Sequence, residues 1–257
     1  MSRLPLILGH RGASALAPEN TIAAFRRSID DGADGIEFDL RLTRDGVVVV
    51  IHDDTLERTA AVHRRVSQMT AAELATTDVG RWFRAPDGSR EFSGETVPSL
   101  QQVFDLYNEN DGLLYLEMKP DAGTEAELVS EVVRMIKHSK LSDRIIVECF
   151  DLPLIQKVKQ LDSSIRTAAL FEPKLSRPIS FVRRKLAAIA HDLGADEIAL
   201  HHALASPRAI ENSLRLGLRV VVWTVDNSDW VPRAQTLGVT GLITNNPAKL
   251  LGRRNSS

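Results

Sequence analysis

Short segments rich in Val, Ile and Leu alternate with longer helical patterns along almost the whole chain. Strands that alternate with helices form a parallel sheet, because each helix carries the chain back to the same edge. About eight such units in 257 residues match a closed (β/α)8 TIM barrel better than an open doubly wound sheet. No Gly-rich phosphate loop follows the first strand, which argues against a nucleotide-binding fold.

The period of the apolar residues gives the bounds of the elements. The predicted strands are 4–8, 36–40, 47–51, 113–118, 145–150, 166–171, 197–201, 219–225 and 241–244. The predicted helices are 18–31, 98–107, 124–139, 152–161, 178–192, 206–216, 228–237 and a short one from Pro247. In the first helix Asn20 is the predicted N-cap, and Gly32 lies just past the end.

Three further stretches have interpretations of their own. Residues 55–97 are polar and rich in Arg and Thr, with a capping box at 70–73. We interpret 55–97 as a small insertion after the second-strand region of a single TIM-barrel domain that spans residues 1–257. The basic run 183–185 is expected to be a solvated helix face, and the tail 252–257 is expected to be disordered.

A predicted hairpin places acidic residues inside an apolar strand. Glu37 and Asp39 alternate with apolar residues, so both side chains lie on one strand face, about 7 Å apart. Residues 44–46 supply a turn, and the β-branched run 47–51 forms a second strand. A two-residue loop would place His52 opposite Asp39 and a four-residue loop opposite Glu37, whereas a three-residue loop would turn it away. The first two registers predict a metal ion beside an acid–base group, and a surface ion cluster is the alternative.

A third carboxylate is expected to join this pair. Catalytic groups of a TIM barrel collect at the carboxyl ends of its strands, and Glu117 stands at such an end. Glu37, Asp39 and Glu117 offer the oxygen ligands that Mg²⁺ and Ca²⁺ take. Zinc is less favoured, because no Cys joins the group.

Cations and histidines stand at the same predicted strand ends. Arg11 and Lys119 suit a phosphate, the first through paired hydrogen bonds and the second as a point charge. His10 and His52 can act as a base and an acid, because imidazole titrates near neutral pH. The combination predicts metal-assisted cleavage of a phosphate ester.

With these residues identified, the chain resembles the glycerophosphodiester phosphodiesterase family over nearly its whole length. The matching segments are GHRGASALAPENT (9–21), GIEFDLRLTRDGVVVVIHDDTLERT (35–59), VPSLQQV (97–103), LYLEMK (114–119), VVVWTVD and GLITNNP. The resemblance implies hydrolysis of glycerophosphodiesters, such as glycerophosphocholine or glycerophosphoethanolamine, to glycerol 3-phosphate and an alcohol through a cyclic phosphate. It also implies residue roles: metal ligands Glu37, Asp39 and Glu117, catalytic His10 and His52, and phosphate contacts Arg11 and Lys119.

Three residues depart from the usual pattern of that family. Cys149 stands where a Ser is common, and Thr240 and Asn245 replace acidic residues. We expect none of them to touch the acid–base, metal or phosphate groups, so that only rim shape and substrate preference change. Cys149 is expected to be a small core residue rather than a nucleophile.

Four rings lie in or directly after the later predicted strands. Phe150 and Trp223 either line a substrate pocket or pack in the barrel. His201 and His202 close the sixth strand, and pocket lining or packing is favoured for them over direct contact with the substrate.

The composition of the chain limits the kinds of partner that we expect it to bind. The formal net charge of -2 gives no bulk attraction to nucleic acid or to an anionic membrane. A single Cys excludes an internal disulfide and fits a reducing compartment. The apolar run at the N-terminus is too short for a signal peptide, and no stretch approaches the ~20 apolar residues of a membrane span. We therefore expect a cytosolic enzyme with a small-molecule substrate and no stable membrane insertion.

Two other functions fit many of the same residues. Lipid phosphodiesterases resembling lysophospholipase D or sphingomyelinase D share the barrel and its His, Glu and Asp set. They need an apolar groove or a membrane-facing patch, and the sequence shows neither. A non-catalytic phosphodiester-binding protein is expected to lack a catalytic His or a metal carboxylate, and this chain retains all of them. Release of glycerol 3-phosphate from glycerophosphocholine, with and without EDTA, discriminates between these functions.

Overall fold

The computed structural model describes residues 4–85, 88, 91–173 and 185–256. Within these ranges eight parallel strands close into a barrel, because the first pairs with both the second and the last. The strands in chain order are β1 (Leu6–His10), β2 (Gly35–Leu42), β3 (Val48–Val50), β4 (Thr55–Leu56), β5 (Val62–Arg65), β6 (Leu113–Met118), β7 (Ile145–Cys149), β8 (Arg166–Phe171), β9 (Glu197–His201), β10 (Arg219–Trp223) and β11 (Gly241–Thr244). Around the barrel the order is β1, β2, β6, β7, β8, β9, β10, β11. The predicted TIM barrel is confirmed.

Helices connect the barrel strands. In chain order they are α1 (Ile22–Asp30), α2 (Glu57–Ala60), α3 (Ala71–Leu74), α4 (Leu100–Asn108), α5 (Glu125–His138), α6 (Leu152–Leu161), α7 (Leu186–Asp192), α8 (Pro207–Arg215), α9 (Trp230–Leu237) and α10 (Pro247–Asn255). Residues 178–184 of the predicted helix 178–192 lie outside the described residues. So do Arg183 and Arg184 of the basic run, whose solvated face stays a prediction.

The two faces of each barrel strand pack in different environments. Outward residues such as Phe38, Leu116 and Val147 join the helices in one large apolar core. Inward residues such as Tyr115 and Ile146 form a smaller cluster that fills the middle of the barrel. Two residues further along β6 and β7, the inward positions become acidic. The barrel therefore holds polar groups above an apolar plug, at the carboxyl ends of its strands.

The N-cap of the first helix lies one residue later than predicted. Thr21 is the N-cap, and its hydroxyl accepts a hydrogen bond from Ala24 N. The backbone of Asn20 has a φ of 58°, and its side chain donates to Asp39 Oδ2 at 2.8 Å. The amide that we expected to cap the helix thus orients a site carboxylate.

The hairpin formed by β2 and β3 has neither of the registers that we predicted for His52. Leu40 pairs with Val50, and this register leaves a three-residue loop, 44–46. Both predicted loop lengths are therefore wrong. β3 ends at Val50 and the chain bends at His52, so the imidazole reaches the carboxylates from beyond the ladder instead of as a cross-strand neighbour.

Residues 55–97 form structure outside the barrel. They contain the two-stranded sheet of β4 and β5, helices α2 and α3, and an apolar cluster that includes Leu56, Leu74 and Val97. Thr70 and Glu73 make the predicted capping box at the start of α3. The division into one domain with a small insertion stays a prediction.

The expected disorder of the tail is wrong for residues 252–255. Helix α10 continues to Asn255, and Arg254 pairs with Asp34, which lies at the opposite end of the barrel from the acidic positions. This ion pair holds the last turn against the barrel. Among the helices that the structure describes, none combines the length and apolar character needed to cross a membrane. The expected cytosolic location stays a prediction.

Candidate active site

A cavity of about 390 Å³ opens at the carboxyl ends of the barrel strands. Eight of the nine residues singled out in the sequence line it: His10, Arg11, Glu37, His52, Glu117, Lys119, Phe150 and Trp223. The ninth, Asp39, is fully buried beside the two glutamates. The structure thus gathers all nine residues at one end of the barrel.

Three carboxylates crowd together at the base of this cavity. One oxygen from each of Glu37, Asp39 and Glu117 lies within 4.8 Å of the others, and all three side chains are buried. Burial, followed by the charges of the other two carboxylates, raises the pKa of Glu37 well above its usual range. Burial and Asp39 raise the pKa of Glu117 to about 7. Burial would also raise the pKa of Asp39, but Arg11 and Lys119 outweigh it and hold that pKa below its usual range.

This donor set fits a hard divalent cation. Its donors are carboxylate oxygens, which Mg²⁺ and Ca²⁺ prefer, with no thiolate among them. Asp39 Oδ1 is buried and lacks a hydrogen-bond partner in the described part of the chain, although Lys119 Nζ lies 3.4 Å away. A buried oxygen of this kind has a lone pair free for a cation. The acidic triad is therefore compatible with a divalent ion.

His10 is held by a residue from the far end of the chain. Its Nδ1 donates to Asn245 Oδ1 at 2.7 Å, and its Nε2 lies 3.8 Å from Glu37 Oε2. The Asn245 amide is fixed in turn, because its Nδ2 donates to Asp226 Oδ2 at 2.7 Å. Burial lowers the pKa of His10 to about 4.

Our expectation that Asn245 touches no acid–base group is therefore wrong. Its position follows from barrel closure: β11 pairs with β1, so the residue after β11 lies beside the end of β1. The other two departures lie elsewhere. Thr240 precedes β11 at the opposite end of the barrel, and Cys149 is buried with its thiol donating to Met118 O. Burial raises the pKa of that thiol to about 12, as suits a core residue.

His52 heads a chain of charged side chains. Its Nδ1 donates to Asp53 Oδ1 at 2.7 Å, and Asp53 Oδ2 accepts from Arg58 Nε at 2.7 Å. Arg58 also binds both oxygens of Glu19, which accepts from Arg11 as well. Burial lowers the pKa of His52, against the opposing effect of the Asp39 charge. The network connects the imidazole at the end of the hairpin to the guanidinium at the end of β1.

Both cations that were predicted to bind phosphate lie between carboxylates. Arg11 Nε is 3.2 Å from Asp39 Oδ2, and Lys119 Nζ is 2.6 Å from Glu117 Oε1. Burial would lower the pKa of Lys119, but Asp39 and Glu117 outweigh it and raise that pKa. Lys119 therefore stays charged at the wall of the cavity.

Aromatic rings form part of the cavity wall. Phe150 and Trp223 meet edge to face with ring centroids 5.5 Å apart, and both line the cavity. His201 packs against Trp223 at 5.2 Å and stacks on His202 at 4.2 Å. The contact of His201 with the indole is packing, one of the two roles that we favoured for these histidines, whereas His202 is exposed.

Several residues of the site were missed in the sequence. Glu148 and Glu172 line the cavity, and Asp53 and Glu19 hold its imidazole and guanidinium. A signal existed for Glu148: it interrupts the apolar strand β7 and shares a face with Phe150, the same pattern that identified Glu37. No comparable signal marks Glu19, because its partners come from distant parts of the chain.

Comparisons with known proteins agree with this geometry. The model of the "Glycerophosphoryl diester phosphodiesterase family" matches residues 10–249. A glycerophosphodiester phosphodiesterase from Caldanaerobacter subterraneus subsp. tengcongensis is 32% identical over 96% of each chain. A putative glycerophosphoryl diester phosphodiesterase from Silicibacter pomeroyi has a structure that superposes with a TM-score of 0.88 at 26% identity, over 100% of this chain and 95% of the other. An Oleispira antarctica phosphodiesterase, solved in complex with the product sn-glycerol-3-phosphate, has a TM-score of 0.85 at 24% identity, over 98% and 97%.

A closed (β/α)8 barrel that gathers two histidines, two cations and three buried carboxylates at one end fits the class of phosphoric diester hydrolases. The chain belongs to the glycerophosphoryl diester phosphodiesterase family, which is the family that its sequence resembles. The predictions that it is an enzyme and that its activity is that of a glycerophosphodiester phosphodiesterase are confirmed.

Proposed function

We propose that this enzyme hydrolyses glycerophosphodiesters such as glycerophosphocholine or glycerophosphoethanolamine, with a divalent cation, to glycerol 3-phosphate and an alcohol. The small-molecule product bound to the Oleispira antarctica relative supports a substrate of this size. In our proposal the roles are catalysis by His10 and His52, phosphate binding by Arg11 and Lys119, metal binding by Glu37, Asp39 and Glu117, and pocket lining by Phe150 and Trp223.

One observation carries the proposal: a single small cavity joins every group that this reaction needs. Two imidazoles from different parts of the chain line it, so one can take a proton while the other gives one. Arg11 and Lys119 present positive charge to a phosphate. The buried acidic triad supplies the oxygen donors for Mg²⁺ or Ca²⁺.

The hydrogen bonds on Nδ1 fix which nitrogen of each histidine can transfer a proton. Asp53 Oδ1 accepts from His52, and Asn245 Oδ1 accepts from His10. Each acceptor is an oxygen without a hydrogen, so each Nδ1 carries the proton and each Nε2 is left for chemistry.

The reaction then proceeds in two steps. One Nε2 takes the proton of the glycerol hydroxyl adjacent to the ester, and that oxygen attacks phosphorus. The other histidine protonates the departing alcohol oxygen, which leaves a cyclic glycerol phosphate. In the second step the two exchange roles: water loses a proton, attacks phosphorus and opens the ring to glycerol 3-phosphate. A bound divalent cation supplies positive charge that polarises the phosphoryl oxygens and favours loss of the hydroxyl proton.

The test is the release of glycerol 3-phosphate from glycerophosphocholine by purified enzyme. We expect turnover with Mg²⁺ or Ca²⁺, loss of turnover in EDTA, and recovery when either ion is restored. His52→Ala should abolish turnover and leave the circular dichroism spectrum unchanged. Absence of turnover on any glycerophosphodiester with metal restored would refute the proposal, and full activity of His52→Ala would remove His52 from the mechanism.

A further inference from the structure

The reaction proposed above does not use Glu148. This residue lies on β7, is 1% exposed and lines the same cavity as the two histidines. Its strand partners are Glu117 on β6 and Ala168 on β8. It lies outside the triad whose oxygens are within 4.8 Å of one another, so it is not part of the group that fits a cation.

One oxygen of the Glu148 carboxyl group lacks a partner among the described residues. Its Oε2 is buried and accepts no hydrogen bond from the described residues. A buried polar atom left unpaired lowers the stability of the folded state, so proteins rarely keep one without a use. Another inward glutamate shows the contrast. Glu197 is equally buried, but Tyr115 Oη donates to it at 2.8 Å and Arg219 pairs with it at 2.9 Å.

A second unpaired group lines the same cavity. Trp223 Nε1 is buried and donates to no acceptor in the described part of the chain. Its ring is clamped between Phe150 and His201, so the N–H direction is fixed. Ala168, the β8 partner of Glu148, is small, and Leu170 and Ile243 give the cavity an apolar lining. Glu148 and Trp223 thus each bring one unpaired, buried polar atom to the lining of a cavity with apolar patches, and an acceptor together with a donor matches a hydroxyl carried on a short carbon chain.

We propose that Glu148 and Trp223 bind the terminal hydroxyl of the substrate's glycerol group and so select glycerol esters over esters that lack this hydroxyl. The hydroxyl donates to Glu148 Oε2, and its oxygen accepts from Trp223 Nε1. This role rests on the proposed function, because it requires the glycerol group to occupy this cavity. Glu148 and Trp223 act here as specificity-determining residues and transfer no proton.

The test compares two substrates that differ in one hydroxyl. Glycerophosphocholine carries the terminal hydroxyl, and the phosphocholine ester of propane-1,2-diol, joined through its primary oxygen, lacks it but keeps the hydroxyl that attacks phosphorus. We expect wild-type enzyme to prefer glycerophosphocholine by roughly tenfold or more in kcat/KM, because the analogue leaves both polar groups unpaired.

Three substitutions then test whether Glu148 and Trp223 cause this preference. Glu148→Leu should reduce it to about onefold, mainly through a higher KM for glycerophosphocholine. Glu148→Gln keeps one acceptor oxygen and should retain most of the preference for glycerophosphocholine. Trp223→Phe keeps an aromatic ring without the N–H and should lose part of the preference. Glu148→Leu should unfold at the same or a higher temperature than wild type, because it removes an unpaired buried carboxyl, whereas a structural role would lower that temperature.

Glu197→Gln is the matched control, because it alters a buried glutamate of the barrel interior that does not line this cavity; it should keep the wild-type preference. Equal turnover of both substrates by wild-type enzyme would overturn the assignment and leave the proposed function intact. An unchanged preference in Glu148→Leu would also overturn it. If Gln and Leu at position 148 abolish the preference equally, the effect belongs to the buried charge and hydroxyl recognition is refuted. Turnover of neither substrate by wild type would refute the proposed function itself.

Discussion

At the scale of the residue, the two histidines differ in what holds them. His52 donates to a carboxylate, Asp53, whereas His10 donates to the neutral amide of Asn245. Asp53 is itself bound by Arg58, and Asn245 by Asp226, so neither partner can turn away without breaking a further bond. Such outer partners set the tautomer and the direction of an imidazole.

Asp53→Asn should slow turnover of glycerophosphocholine by roughly ten- to a hundredfold. The substituted amide can present its N–H₂ to Nδ1, which drives the imidazole proton to Nε2 and blocks acceptance of a proton there. The measurement is kcat, with thermal unfolding to confirm the fold. Asp54→Asn is the control, because the Asp54 side chain pairs at the surface with Arg65 at 2.9 Å, and an exposed ion pair contributes little. If both variants match wild type, Asp53 does not position His52.

Sequence reasoning found the residues that the structure gathers at the cavity but not those that hold them. Glu37, Asp39 and Glu117 were recognised because acid is unusual within apolar strands. The contact between His10 and Asn245 spans 235 positions along the chain and exists only because the barrel closes. A pattern read along one strand carries no information about such partners.

At the scale of the element, the hairpin of β2 and β3 shows where a local prediction fails. The strands were found, but residues 44–46 suit several loop lengths. The structure selects three because Gly46 adopts a φ of 75° at the last loop position and Thr43 N donates to Val47 O at 3.0 Å. His52 still reaches the cavity, because the ladder ends before it.

Gly46→Ala should lower the free energy of unfolding by about 1–2 kcal/mol, the cost of a left-handed conformation for a residue with a Cβ. The effect is conformational and not steric, since the nearest atom to an added Cβ would be Glu127 Oε1 at 3.5 Å. Urea unfolding of wild type and variant measures the change. Gly252→Ala is the opposite case: it lies in helix α10 with nothing within 4 Å, and it should stabilise the protein by about 0.5–1 kcal/mol. Changes of the same sign in both variants would contradict this account.

At the scale of the whole molecule, the fold was predicted more completely than the hairpin loop or the contacts of the site. The bounds of β6, β8, β9 and β11 agree with those predicted, because each is a continuous apolar run flanked by turns. The closure of the barrel was predicted from the number of strand–helix units. The three-dimensional consequence of closure was not predictable: it brings the ends of β1, β2, β6 and β11 to one cavity and leaves three carboxylates buried together.

Because of that burial, we expect the stability of the whole protein to depend on a divalent cation. Glu37, Asp39 and Glu117 repel one another, and Arg11 and Lys119 offset only part of this charge. A divalent ion that binds the folded state alone, at a hundredfold excess over its Kd, contributes about 2.7 kcal/mol. For a chain of this size we expect unfolding to shift upward by roughly 5–10 °C relative to EDTA.

Differential scanning fluorimetry of Glu117→Gln, which removes one charge and one ligand, tests this dependence without measuring activity. In EDTA the variant should unfold at a higher temperature than wild type, because the remaining carboxylates repel less. Adding Mg²⁺ or Ca²⁺ should shift it by less than half of the wild-type shift, because a divalent ion loses one of its ligands. Glu211→Gln, on the exposed face of α8, should behave as wild type in both conditions. An equal shift in Glu117→Gln and wild type, or no shift with either ion, would show that the acidic triad does not bind a cation.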